Sequence, residues 1–190
     1  MISWNYTEVE GLAWRYMETL TDEPLFQLLY SDEYVVRTLA SMTIQLRATD
    51  FLFHQVLTLQ DAKPYYLREV CAYILGQIKV DNIEYLRQIP EVLFKLSQDK
   101  RLLVKSAAIC ALGHFYGFHR DKVPVSDEIY QMILSASQHK SAGIRSASAF
   151  SLSKMPDCEE VRSALHRLLE DEDIDVQEWA EVALEILDLE

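Results

Sequence analysis

Glycine and proline are scarce, five of each in 190 residues. That excludes collagen-like and Pro/Gly-rich disordered chains and disfavours a turn-rich β protein. Long apolar runs are missing too. No stretch reaches the ~18 residues a membrane-spanning helix needs. The first residues, MISWNYTEVEGLAW, lack a basic start and an apolar core, so no secretory signal is expected and the chain reads as cytoplasmic. Cysteine is sparse: Cys71, Cys110 and Cys158 are odd in number and widely spaced, which does not fit a disulfide framework. Catalytic signatures are absent as well. There is no Gly-rich phosphate loop, no GxSxG and no HExxH.

What the chain does have is apolar residues (49%) and acid, with a net charge of -12. The acid is uneven. Asp157–Glu190 carries 13 acids and 2 bases, whereas Met1–Pro156 carries 17 acids and 16 bases. Such polarity disfavours nucleic acid and anionic membrane as partners and favours a basic protein.

The second feature is internal repetition. Five apolar-then-polar pairs line up: Val36-Arg37, Leu67-Arg68, Val104-Lys105, Ile144-Arg145 and Val176-Gln177. The second residue of each pair is taken as position zero. Position +3 is always small: Ala40, Cys71, Ala108, Ser148 and Ala180. Position +7 is always aliphatic: Ile44, Leu75, Leu112, Leu152 and Leu184. At about 100° per residue, positions -1, +3, +7 and +10 share one helical face. The small +3 residue lets this helix approach its neighbours closely. The basic residue at zero, on the edge of that face, can reach an acidic turn or the carbonyls ending a neighbouring helix.

Each of these B helices follows an amphipathic A segment (PLFQLLY, FLFHQVLTL, PEVLFKLS, EIYQMILSAS, EEVRSALHRLL), and a short polar turn joins the two. Thr21 and Ser126 read as helix starts. Pro64 and Pro90 read as first-turn residues, where a missing N–H does little harm. The expected fold is all-α: an α-solenoid of about five helix-turn-helix repeats over 20–48, 49–80, 88–118, 125–155 and 157–190. An extra helix over Asn5–Thr19 covers the first repeat, and 1–190 is a single domain.

The acidic turn, the aliphatic-Arg pair and the following small residues and Leu-Gly of LREVCAYILGQI and VKSAAICALGHF resemble the B-helix signature of HEAT repeats. More narrowly, LTDEPLFQLLYSDEYVVRTLASMTIQLRATD, YLREVCAYILGQIK, IRSASAFSLS and VQEWAEVAL are similar, in order, to HEAT-repeat proteins encoded beside Rhs toxins in enteric bacteria. The likeness runs from about Leu20 to about Leu187. Those proteins are regarded as immunity proteins. The resemblance implies a 1:1 complex with the C-terminal domain of a polymorphic toxin. Nuclease toxins are basic, which suits an acidic inhibitor. A scaffold or adaptor is the alternative.

Candidate site residues follow from the face opposite the core. Position +5 gives Met42, Tyr73, Cys110, Phe150 and Val182, an apolar ribbon that is either packing between B helices or a partner groove. In the last repeat Glu178, Glu181, Glu185 and Asp188 form an acidic stripe, either a solubilising cap or a docking strip. Asp171, Asp173 and Asp175 have calcium-loop spacing, but Val176 and Val182 stand where an EF-hand needs Gly and Glu. They join the acidic end offered to a basic partner. Cys110, His114 and His119 make a weak metal pattern. No metal, cofactor or catalytic residue is expected.

Overall fold

The computed structural model describes residues 6–189, with their side chains from residue 11 onward. Among the described residues there are eleven α-helices and no strand. α1 (Tyr6–Thr19) is the extra helix; its expected first residue, Asn5, lies outside the described residues, as does Glu190. Five A–B pairs follow: α2 (Asp22–Gln27) with α3 (Tyr34–Arg47), α4 (Asp50–Thr58) with α5 (Tyr65–Gln77), α6 (Ile83–Ser97) with α7 (Leu102–His119), α8 (Asp127–Ala136) with α9 (Ala142–Leu152), and α10 (Glu159–Leu168) with α11 (Ile174–Leu189). Short 3-10 turns, Leu28–Tyr30 and Leu59–Asp61, extend α2 and α4.

The repeat register predicts the core. All five +3 residues have no exposed surface, and four of the five +7 residues are buried. Leu184, in the last repeat, is only partly covered. Ser148 stays buried because its hydroxyl donates to Ile133 O at 2.7 Å. The B helices pack side by side as one row, α3 to α5 to α7 to α9 to α11. Gly76 and Gly113 make the closest approaches possible. A Cβ at Gly76 would stand 2.8 Å from Ala111 Cα, and one at Gly113 would stand 2.8 Å from Ser151 Cα. The A helices are less tightly joined to one another, so the row of B helices lines the inner, concave side.

One helix boundary differs from the sequence expectation. Pro90 lies inside α6, not at its start. Asn82 caps that helix eight residues earlier, its side chain accepting from Glu84 N at 2.9 Å. Leu86, Ile89, Leu93 and Leu96 then run one buried stripe straight through the proline. That burial outweighs the backbone hydrogen bond which proline cannot donate. Ser126 and Pro64 do occupy N-cap positions, and Thr21 does so without a side-chain capping bond.

The basic residue at zero works as a rung between repeats. Arg68 Nη1 donates to Ala62 O at 2.7 Å in its own turn, while Nε and Nη2 reach Asp99 in the next turn at 2.6 and 3.1 Å. Arg145 repeats this with His139 O at 2.9 Å and with Asp171 at 2.7 and 2.7 Å. Each acceptor sits at position -6 of its repeat and also takes a backbone N–H two residues on, from Arg101 or Asp173. The arginine hydrogen bonds hold the Asp99 and Asp171 carboxyls below the usual carboxylate range, against the opposing effect of burial. At position -6 the other two interior turns carry Ala62 and His139 instead. Those two rungs are open. The His139 side chain accepts a local bond, from Ser141 N at 3.0 Å. Gln177 keeps the bond to its own turn, donating to Asp171 O.

Candidate protein-binding surface

The +5 ribbon divides along the solenoid. Tyr73 and Val182 are 38% and 41% exposed, whereas Met42, Cys110 and Phe150 are half-buried. Phe150 sits between helices, its ring centroid 4.6 Å from that of His114 on α7 and 5.4 Å from that of Trp179 on α11. Its edge also closes over Gly113. Phe150 and Cys110 therefore belong mainly to packing between B helices. Tyr73 and Val182 remain at the surface. Burial raises the Cys110 thiol to about 11, so it is an inert thiol at neutral pH. His114 is pushed below its ordinary value by burial first and by Lys154 second. Among the described residues, no group of three or more His, Cys, Asp or Glu side chains could hold a metal ion.

The acidic end divides too. Glu178, Glu181 and Glu185 are exposed and pair with no cation among the described residues. Trp179 and Val182, both about two-fifths exposed, lie beside them. Asp188 is different: Arg162 of α10 donates to it at 2.8 Å while also pairing with Asp157. Asp171 is different again. It is committed to Arg145, the two side chains being only 9% and 11% exposed, so it serves the fold rather than an open surface. Asp173 and Asp175 accept or donate local bonds in the turn that starts α11.

Around Tyr73 the structure brings together residues that the repeat register alone did not pick out. Tyr34 and Arg37 of α3 and Tyr66, Glu69 and Tyr73 of α5 line a cavity of about 190 Å³ on the concave side. Arg37 Nη1 is held by Ser31 O and Asp32 O at 2.7 and 2.9 Å. Position -6 of the next repeat is Ala62, so the rest of the guanidinium finds no carboxylate there. It lies instead 4.9 Å from the Tyr66 ring centroid and 5.9 Å from that of Tyr34. Glu69 is half-buried at position +1 and accepts no hydrogen bond from any described residue. Its carboxyl is pushed up by burial, and Arg37 offsets this only in part. A signal was available in the sequence: an arginine at zero, followed by a repeat with no acid at -6.

No family model matches the chain. It is 29% identical to protein YibA of Escherichia coli over 169 residues, covering 88% of this chain and 58% of YibA. The chain thus spans somewhat over half the length of the curated relatives it matches. The X-ray structure of YibA superposes with a TM-score of 0.83 at 25% identity, over all of this chain and 67% of that one. A designed armadillo repeat protein in complex with the peptide (KR)4 follows the same course, with a TM-score of 0.58 at 15% identity over 93% of this chain and 86% of its own. The CpcE–CpcF phycocyanin lyase complex of Nostoc gives 0.67 at 21% identity, over 86% of this chain and 97% of that one. The fold is a helical repeat solenoid of the armadillo and HEAT kind.

Proposed function

We propose that this chain is an immunity protein that binds the basic C-terminal domain of a polymorphic, Rhs-type toxin and neutralises it in a 1:1 complex in the cytoplasm. The observation that carries the reading is the character of the concave side and its last helix. Exposed aromatic and apolar residues (Tyr34, Tyr73, Trp179, Val182) alternate with carboxylates that form no ion pair among the described residues (Glu69, Glu178, Glu181, Glu185). Aromatic anchors supply contact area at an interface. Carboxylates without partners speed encounter with a basic protein by ~10–10³ and then occupy cations meant for phosphate. The solenoid of the designed armadillo protein holds a Lys/Arg peptide, which supports the capacity of the fold for such ligands. The similarity to YibA is compatible with the reading and leaves the toxin open.

The test is co-expression with the toxin domain encoded at the same locus. Growth rescue, with a 1:1 complex in light scattering, is the expected result. Rescue without a complex, or a complex without rescue, refutes inhibition by binding. Weak capture of several unrelated proteins in place of one partner favours an adaptor.

A further inference from the structure

The tyrosine-lined cavity between α3 and α5 holds a carboxylate in an unusual setting. Glu69 lies half-buried among aromatic side chains, with no hydrogen-bond donor from any described residue. A carboxylate that gives up part of its hydration without gaining a donor is disfavoured, and a cation placed against it offsets that cost. Arg37 supplies that charge only in part. Its Nη1 is bound by two turn carbonyls, its guanidinium carbon lies 4.9 Å from the Tyr66 ring centroid, and it acts on Glu69 through space rather than by a hydrogen bond. Burial accordingly still dominates over Arg37 in setting the Glu69 proton affinity. The cavity walls add a second feature suited to a cation. Tyrosine faces attract ammonium and guanidinium groups within ~6 Å, and Arg37 already uses two of these rings in this way. Tyr73, 38% exposed, leaves a third ring at the mouth. The cavity of about 190 Å³ suits one long side chain rather than a folded segment.

We infer that this cavity is the seat for a single lysine or arginine side chain of the partner, with Glu69 as its counter-charge and Tyr34, Tyr66 and Tyr73 as its walls. This rests on the proposed reading in that the natural donor of the side chain is the basic partner. It also makes the cavity a specificity element separate from the acidic strip on α11. The strip attracts any cationic surface, whereas the cavity accepts one side chain at one register of the solenoid.

The test is a titration of the ¹⁵N-labelled full chain with Nα-acetyl-lysine amide, Nα-acetyl-arginine amide and two controls, Nα-acetyl-norleucine amide and Nα-acetyl-glutamate amide. Saturable shifts at the backbone amides of Tyr66, Glu69 and Tyr73 with a cationic probe are expected. Glu69→Gln, which keeps the shape and removes the charge, should weaken that binding about tenfold or more. Tyr73→Ala should weaken it less. The inference is overturned by equal shifts with norleucine, by preference for glutamate, by shifts confined to Glu178–Glu185, or by no saturable shift at all. The titration contains no toxin, so the two claims separate. Neutralisation that survives Glu69→Gln, with a silent titration, removes the cavity and keeps the immunity reading. A positive titration without any toxin partner does the reverse.

Discussion

Two kinds of junction join the repeats of this solenoid, and they differ at one residue. Where position -6 is aspartate, as at Asp99 and Asp171, the preceding arginine closes a bidentate rung and is consumed by the fold. Where it is Ala62 or His139, no carboxylate stands at that position to close the rung, and Arg37 is left to the carbonyls of its own turn. At the first such junction, Arg37 turns to the tyrosines of the concave side and helps shape a cavity. The same residue type at the same register thus serves stability in one repeat and a surface in the next. What decides between them is the presence of an acceptor about one repeat away.

Breaking a closed rung should have the largest effect. Asp99→Ala or Asp171→Ala leaves a nearly buried guanidinium without its counter-charge and should cost about 3 kcal/mol in urea denaturation. His139→Ala, at an open rung, should cost under about 1 kcal/mol. Equal losses at the two kinds of junction would erase the distinction. Acid sharpens it further. Both aspartates have folded pKa values below the ordinary ~3.9, so their contribution is complete above that value and is lost as pH falls through the depressed folded pKa. Replacing both by asparagine should flatten the acid limb of stability below about pH 4; an unchanged limb would show that other carboxylates govern it.

Closing an open rung is the converse experiment. Ala62→Asp should draw the guanidinium of Arg37 off Tyr66 and gain about 1 kcal/mol, with the shift visible in a crystal structure of the variant. No gain would mean that Arg37 is already fully satisfied by Ser31, Asp32 and the tyrosine rings. The smallest stability effect belongs to the strip on α11. Glu178→Lys, Glu181→Lys and Glu185→Lys together should change stability by only a few tenths of a kcal/mol per relieved pair. Association with a basic partner should nevertheless slow and lose its salt dependence.

Much of the fold was legible because a solenoid writes its core five times. One ambiguous column, such as the small residues at +3, becomes clear when Ala40, Cys71, Ala108, Ser148 and Ala180 are read together. Pro90 misled because proline marks helix starts more often than interiors. The cap at Asn82 and the stripe from Leu86 to Leu96 were the stronger signal. The surface was less legible, since it depends on pairs between helices. Asp188 appears uncompensated within α11, yet Arg162 of α10 lies 2.8 Å away. Phe150 and Tyr73 share position +5, yet only Phe150 has aromatic neighbours on both adjoining B helices. Glu69 escaped notice because position +1 was informative only beside the missing acid at position 62.

The most direct measurement of the central claim is quantitative capture from the native host, with the full chain and its Glu178→Lys, Glu181→Lys, Glu185→Lys variant as parallel baits. One stoichiometric partner, a basic C-terminal toxin domain whose capture is strongly reduced with the variant, is the predicted result. Several substoichiometric partners, captured equally by both baits, would contradict it.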